Sequence, residues 1–175
     1  MSTKIKRFIF LSFLVVFIGI LSGCETMIHS SSGTTTTVIM IRHAERTSYG
    51  GELTALGRKN AQALVKAIGD MKIDAIYSPD LARNLKTVQP LAKQLGIKIS
   101  TVKDDPDTDS MVLTFIQERA GQTVLWVGNT TNLVDIYNLL GGRGEPPVKY
   151  GDLFILSVPD KGTTRVVKKT WGDRK

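Results

Sequence analysis

The feature of this sequence that most restricts its fold is a continuous apolar run at residues 38–41 (VIMI), where no polar residue alternates with the apolar ones. A strand of this kind is apolar on both faces, and a parallel sheet covered by helices on both sides buries both faces. The chain then alternates between helical stripes and short β-like runs as far as residue 167. Repeated β-α units predict an α/β fold with a mostly parallel central sheet and helices on both faces.

The predicted helices have apolar residues at the spacing of an amphipathic helix, as Ala61, Leu64 and Ile68 do. Asp80 precedes a second stripe that Gly96 closes, as expected for the two ends of a helix. We predict helices over residues 53–68, 81–95, 109–120 and 133–140, and strands over residues 38–41, 73–77, 97–102, 123–127, 153–158 and 164–167.

The N-terminus has the pattern of an export signal. A basic head at residues 4–7 precedes an apolar run at residues 8–21, which is shorter than the about 20 residues that a membrane span needs. The following tetrapeptide, residues 21–24 (LSGC), resembles the bacterial lipobox and contains the only cysteine. We therefore expect residues 1–23 to be a lipoprotein signal peptide and Cys24 to be acylated, which would anchor the protein outside the cytoplasm, in the bacterial cell envelope. An uncleaved anchor with an incidental thiol is the alternative.

Residues 24–36 are rich in serine and threonine, and we predict that they form a flexible tether in which His29 is solvated. Residues 37–175 are long enough to form one domain with a core of its own. The formal net charge is +7, and the basic residues are spread along the chain without forming blocks. A nucleic-acid partner is therefore not expected.

Polar residues that suit an anion follow three of the predicted strands. Arg42 and His43 come directly after the first strand, Arg83 falls in the first turn of the helix after the second, and residues 128–131 (GNTT) follow the fourth. Ligands of such sheets bind beyond the carboxyl ends of the strands, so we expect these segments to meet at one rim. Helix N-termini and guanidinium groups at that rim favour phosphate, which arginine binds through paired hydrogen bonds.

His43, one of two histidines in the chain, stands between Arg42 and Arg46. Cationic neighbours disfavour a charged imidazole, so this arrangement suits a ring that stays neutral while the arginines neutralise an anionic substrate. A neutral imidazole can attack phosphorus as a nucleophile. The pattern therefore predicts a phosphate pocket with phosphoryl-transfer chemistry.

Four segments, in order, resemble motifs of the histidine phosphatase superfamily, which is also called phosphoglycerate mutase-like. Residues 42–45 (RHAE) are similar to the Arg-His-Gly or Arg-His-Ala motif that follows the first strand in this family. The stretches LTALGRKNAQAL, IDAIYSPDLARNLKTVQPLA and GQTVLWVGNTTNLVDIYNLLGG resemble its next helix start, its strand with an arginine-bearing helix, and its later strand and turn. The resemblance runs from residue 37 to about residue 169.

The resemblance implies a three-layer α/β/α fold and phosphoryl transfer through a phosphohistidine on His43. It also implies that Arg42 and Arg83 bind the phosphoryl oxygens and that neither a metal nor a cofactor takes part. The expected partners are a phosphorylated small molecule or surface phosphoester, and the membrane through the lipid on Cys24. The predicted substrate-binding residues are Arg42, Arg46, Arg83, Asn129 and Thr130.

The acidic run at residues 104–109 does not fit a calcium-binding loop. Counted from Asp105, the sixth residue is Ser110 where such a loop has glycine, and the twelfth is Ile116 where it has glutamate. A solvated loop that caps the following helix is one interpretation. Many relatives take the acid that protonates the leaving group from this region, so the resemblance makes Asp107 the first candidate for that acid, before Asp105 and Asp109.

Asn129 departs from the family pattern, because it stands where the family has its second histidine. An asparagine amide can donate a hydrogen bond to phosphate but carries no charge, so a slow enzyme is expected. Asn129 can equally be the N-cap of the following helix. Two functions stay open: a membrane-tethered phosphatase, and a pseudophosphatase that binds a phosphorylated ligand. A mutase is not expected, because the chain has little room for the insertions with which mutases of this family enclose their substrate.

Overall fold

The structure is a computed structural model that describes residues 27–48, 51–102 and 108–173. Within these residues the chain forms six strands and four helices, which alternate for most of its length. In chain order they are β1 (Thr35–Arg42), α1 (Ala55–Ile68), β2 (Ala75–Pro79), α2 (Ala82–Leu95), β3 (Ile99–Val102), α3 (Thr108–Glu118), β4 (Thr123–Gly128), α4 (Thr130–Leu139), β5 (Asp152–Pro159) and β6 (Arg165–Thr170).

The six strands form one sheet in the order β3-β2-β4-β1-β5-β6. β1 pairs in parallel with β4, and β2 pairs in parallel with both β3 and β4. β5 and β6 are antiparallel to their neighbours. Parallel neighbours need a long crossover connection, and the helices between the strands provide it. The mostly parallel sheet that the β-α alternation predicts is confirmed.

β1 lies inside the sheet, and its residues 38–41 have no exposed surface. Because side chains of a strand alternate between faces, Val38 and Met40 pack in one apolar cluster, and Ile39 and Ile41 in another. The first cluster includes apolar side chains of α3 and α4, and the second includes those of α1 and α2. The fold therefore has three layers, α/β/α, as the family resemblance implied.

α1 starts close to the segment that leaves β1. The hydroxyl of Thr54 caps the helix by accepting a hydrogen bond from the N–H of Gly57 at 3.0 Å. A Cβ atom on Gly57 would lie 2.1 Å from the carbonyl oxygen of Glu45, so only glycine permits this approach. The start of α1 thereby holds the chain just beyond β1 in a fixed position.

The chain joins the fold earlier than the sequence pattern predicts. Ile28 is 8% exposed within the first apolar cluster, and its N–H donates to the carbonyl of Leu139 at 2.7 Å. The hydroxyl oxygens of Ser30 and Thr36, both buried, are 2.7 Å apart, so they satisfy one another in place of water. The predicted tether over residues 24–36 is therefore wrong for residues 28–36, which belong to the domain. His29, predicted to be solvated, is half-buried.

The predicted signal peptide, residues 1–23, and the predicted acylation site, Cys24, lie outside the described residues. In the part of the chain that the structure describes, we find no helix with the length and apolar character of a membrane span.

The packing of the N-terminal segment predicts a loss of stability when Ile28 is truncated. In protein that starts at residue 25, Ile28→Ala should lower the free energy of unfolding by about 2 kcal/mol, the lower end of the range for such truncations. Met27→Ala is the matched control, because the Met27 side chain is 39% exposed, and its effect should stay below about 0.5 kcal/mol. Urea unfolding measures both variants, and equal effects would contradict the docking of this segment.

Candidate active site

The carboxyl ends of β1 and β4 bring two of the predicted site residues together. These strands pair in parallel with Arg42 opposite Gly128. The N–H of His43 donates to the carbonyl of Gly128 at 3.0 Å, which continues the ladder by one residue. His43 and Asn129 therefore leave the sheet side by side, as the position of their motifs after the two strands predicted.

The ring of His43 is held in one orientation. Its Nδ1 atom lies 2.8 Å from the carbonyl oxygen of Ala44. Because a carbonyl can only accept, Nδ1 carries the hydrogen in this contact, and the lone pair of the neutral ring is on Nε2. Nε2 is therefore the nitrogen that remains able to act as a nucleophile.

The pKa of His43 is lowered from 6.5 to about 4. Burial is the largest cause, since the residue is only 2% exposed and a charged ring would lose its hydration. The hydrogen bond to Ala44 raises the pKa, and the guanidinium groups of Arg42, Arg83 and Arg46 lower it further. The imidazole is therefore neutral at neutral pH.

Thr87, which is fully buried in α2, connects the His43 segment to Arg83. Its hydroxyl accepts a hydrogen bond from the N–H of Ala44 at 2.8 Å and donates one to the carbonyl of Arg83 at 2.7 Å. The sequence analysis predicted no contact for Thr87, because a threonine within a helical stripe carries no local signal of such a contact. The position of α2 relative to the end of β1 is thus fixed by a side chain next to the site.

Arg42 is held by two contacts from the loop between α4 and β5. Its Nη1 donates to the carbonyl of Val148 at 2.8 Å, and its guanidinium carbon lies 4.1 Å from the centre of the Tyr150 ring. The same ring meets the ring of His43 edge-on, with centroids 5.7 Å apart. Tyr150 therefore packs against both residues of the first motif, and nothing in the sequence pattern indicated it.

Arg83 lies in the first turn of α2, where the sequence predicted it. The Nε atoms of Arg83 and Arg42 are both buried and have no hydrogen-bond partner among the described residues. Buried donors are nearly always satisfied in folded proteins, so two unpartnered guanidinium nitrogens near one neutral imidazole are an exception that needs a cause. Both guanidinium groups would attract an anionic ligand with several oxygens.

A cavity of about 830 Å³ opens beside Arg42, whereas His43, Arg83, Asn129 and Thr130 are not among the residues that line it. Arg46 lines it, and its Nη1 donates to the carbonyl of Thr47 at 3.1 Å on the exposed side. The Glu45 carboxylate in the cavity wall accepts a hydrogen bond from Nδ2 of Asn60 at 2.9 Å, which holds it against α1. The residues that line the cavity are Arg42, Glu45, Arg46, Thr54, Ala55, Leu56, Val148, Lys149 and Tyr150.

Asn129 is the N-cap of α4, which confirms the capping interpretation of this residue. Its Oδ1 accepts hydrogen bonds from the N–H groups of Thr131 at 3.1 Å and Asn132 at 3.2 Å. Oδ1 of Asn132 in turn accepts from the N–H of Asn129 at 3.0 Å. The cap does not use the two hydrogens on Nδ2 of Asn129. Thr130 is exposed as the first residue of the helix.

Of the three acidic candidates for the leaving-group acid, Asp105 and Asp107 lie outside the described residues. Asp109 is exposed in the first turn of α3 and is not among the residues that line the cavity. Across residues 27–48, 51–102 and 108–173, we find no group of three or more histidine, cysteine, aspartate or glutamate side chains arranged to hold a metal ion.

The sequence matches the model of the histidine phosphatase superfamily (branch 1) over residues 38–106. This range includes the first motif, the helix α1 and the arginine-bearing helix α2. A search of curated protein sequences finds no match.

Three solved structures share the fold at low sequence identity. The SixA protein of Agrobacterium tumefaciens, assigned as a phosphohistidine phosphatase, is 21% identical with a TM-score of 0.59, covering 75% of this chain and 95% of its own. Phosphoglycerate mutase of Bacillus anthracis str. Sterne is 13% identical with a TM-score of 0.62, covering 78% and 93%. Mycobacterial glucosyl-3-phosphoglycerate phosphatase in complex with inorganic phosphate is 15% identical with a TM-score of 0.55, covering 78% and 97%. The family model thus matches one segment of the chain, and the three structures show that the chain shares their fold.

The contact between Tyr150 and His43 predicts how the pKa of His43 responds to substitution. Tyr150→Ala should admit water to the ring of His43 and raise its pKa from about 4 toward 6.5, by about one unit or more. Tyr150→Phe keeps the ring and should leave the pKa almost unchanged. Because the chain has two histidines, NMR titration of the imidazole signals separates His43 from His29, with His43→Gln for assignment. An unchanged pKa in Tyr150→Ala would mean that Tyr150 does not shield the site.

Proposed function

We propose that this protein, which has the fold of histidine phosphatases and matches their family model, hydrolyses a phosphomonoester through a phosphohistidine on His43. The observation that carries the proposal is a neutral, buried imidazole beside two guanidinium groups whose Nε atoms have no hydrogen-bond partner in the part of the chain that the structure describes. An uncharged nucleophile and cations that bind a dianion are what attack on phosphorus requires. The phosphatases among the structural neighbours support the same reaction class.

The reaction would take two steps. In the first, Nε2 of His43 attacks phosphorus, the bond from phosphorus to the substrate's alcohol oxygen breaks, and that oxygen leaves with a proton from an acid. In the second, water attacks phosphorus, the nitrogen–phosphorus bond breaks, and inorganic phosphate leaves while the acid recovers a proton from the water. Arg42 and Arg83 would hold the non-bridging oxygens in both steps. Asp107 stays the first candidate for the acid.

Arg46 and Thr130 would contact the part of the substrate beyond the phosphoryl group. Arg46 lines the cavity and is exposed, and Thr130 is exposed at the N-terminus of α4. These positions suit recognition of a polar substrate better than they suit the transfer itself. The volume of about 830 Å³ leaves room for a small phosphorylated molecule beside the arginines.

We also propose that a lipid on Cys24 attaches the protein to the cell envelope. The basic head, the short apolar run and the lipobox-like residues 21–24 support this in the sequence. Two or more acyl chains would give a stable attachment, whereas one would not.

Asn129 is expected to slow this enzyme. A hydrogen bond to a charged partner contributes about 1.5–3 kcal/mol and a neutral one about 0.5–1.5 kcal/mol, so an uncharged amide in place of the family's histidine costs on the order of 1–2 kcal/mol. That corresponds to a rate loss of roughly tenfold. The use of Oδ1 in the helix cap leaves only Nδ2 to serve the phosphoryl group.

A binding module without turnover is the second candidate function. The same engagement of Oδ1 in the cap favours it, because the cap alone accounts for an asparagine at this position. Such a module would keep the two arginines and bind a phosphorylated ligand. Phosphate binding is common to both functions, and turnover through His43 separates them.

Inorganic phosphate or vanadate should bind and raise the melting temperature, because a ligand of the native state stabilises it by mass action. Arg83→Ala should abolish this shift, whereas Arg58→Ala, on α1 outside the cavity beside Arg42, should retain it. Thermal melts at increasing oxyanion concentration measure the effect in protein that starts at residue 25. A melting temperature indifferent to both oxyanions would rule out the pocket, and with it both functions.

Asn129→His should raise phosphatase turnover by roughly tenfold, the inverse of the loss derived above. Asn129→Ser is the matched control: it keeps a capping oxygen but lacks the amide donor, so its turnover should fall below that of the wild type. Turnover of p-nitrophenyl phosphate and acid-labile phosphate on the protein measure the two steps. Both signals should vanish in His43→Ala. A fast wild type that Asn129→His slows would show that Asn129 is the better residue for this site.

A further inference from the structure

The chain enters the fold at the end of the sheet opposite to the pocket. Ile28 donates to the carbonyl of Leu139, the last residue of α4, and the N–H of Ser30 donates to the carbonyl of Pro159, the last residue of β5, at 3.0 Å. The N–H of Gly33 donates to Asp160 in the turn after β5 at 2.8 Å. All three contacts lie near the start of β1, since β5 runs antiparallel to it.

The phosphate pocket lies at the other end of the same elements. Arg42 is the last residue of β1, Gly128 is the last residue of β4, and Thr130 is the first residue of α4. A strand rises about 3.3 Å per residue, so the eight residues of β1 separate the two ends by about 23 Å. The pocket and the entry point of the chain are therefore at opposite poles of the domain.

The length of chain between the proposed lipid and the fold is shorter than this separation. Residues 24–27 connect Cys24 to Ile28, the first docked residue. A residue spans at most about 3.6 Å, so whatever their conformation these residues reach no further than about 14 Å. With the strands perpendicular to the membrane and the pocket end facing it, the entry point would have to lie about 20 Å or more above the lipid headgroups. The connection is too short for that.

We infer that the pocket opens away from the membrane that holds the protein, so that its substrate is a soluble phosphomonoester and not a phosphate on a headgroup of that bilayer. This inference rests on the lipid attachment and the phosphatase activity proposed above. A domain lying on its side would open its pocket parallel to the membrane, and the pocket would still not face the headgroups of that bilayer.

The surface around the entry point suits contact with an anionic bilayer. Lys161, in the turn after β5, and Arg165, the first residue of β6, are both exposed there. Anionic lipids attract cations that lie close to a membrane surface. Lys161 and Arg165 are compatible with the orientation in which this end of the sheet faces the headgroups.

The orientation can be tested without any enzymatic activity. Lys149 and Lys161 are exposed lysines that precede and follow β5, at the pocket end and the entry end respectively. In full-length protein whose Cys24 is acylated, Lys149→Cys or Lys161→Cys supplies a single free thiol for a fluorophore. In vesicles of zwitterionic and anionic phospholipid with nitroxide-labelled headgroups, we expect quenching several-fold stronger at position 161 than at position 149. Equal quenching, or stronger quenching at position 149, would overturn the inference.

The substrate class is tested in the same vesicles. The acylated protein should hydrolyse soluble p-nitrophenyl phosphate as fast as a Cys24→Ser form in solution, and should release no phosphate from phosphatidic acid in its own bilayer above the His43→Ala background. Hydrolysis of that phosphatidic acid would overturn the inference. If neither substrate reacts, both the proposed phosphatase activity and the proposed substrate class are wrong. The fluorescence quenching still decides the orientation in that case. Wild-type protein that does not stay on the vesicles would overturn the attachment and the inference with it.

Discussion

The parallel pairing of β1 with β4 is the constraint on which the rest of this structure depends. Residues 38–41 have no exposed surface, and neither face of this strand tolerates water, so helices must cover both faces. The same pairing sets Arg42 opposite Gly128, and the next hydrogen bond, from His43 to Gly128, carries the register into the site. Burial of one apolar strand thus decides both the layers of the fold and which two loops meet at its carboxyl end.

Burial also determines the chemistry of His43, because it is the main cause of a pKa near 4. The unfolded chain binds a proton on this residue below about pH 6.5, whereas the folded chain binds it only below about pH 4, so acidification through this range lowers stability. The proposed phosphate dianion, when bound, would oppose the repulsion from Arg42 and Arg83 and would raise the pKa of the ring. Anion binding and proton uptake would therefore be coupled at this site.

Residues whose position follows from periodicity or from a strand end could be predicted from the sequence. The apolar stripes predicted the helices. The strand ends predicted that one rim of the sheet would carry Arg42, His43, Arg83 and Asn129. Tyr150 could not be found in this way, because it lies in a loop without periodicity and reaches the site only through tertiary packing. The misjudged tether has a similar cause: its serine and threonine residues are typical of a linker, and only the folded structure pairs their hydroxyls.

The oxygen and the nitrogen of the Asn129 amide have different roles, one in the fold and one in the proposed pocket. Oδ1 caps α4, and in the proposed function Nδ2 would donate to the phosphoryl group without the charge that a histidine would carry there. A missing charge weakens binding of the product phosphate as well as of the transition state. The part of the binding free energy that is lost equally from both does not lower the rate of the chemical step. Where phosphate release limits turnover, weaker product binding speeds that step and offsets part of the loss. An asparagine at this position therefore reduces turnover least when release of the product, and not phosphoryl transfer, is the slow step.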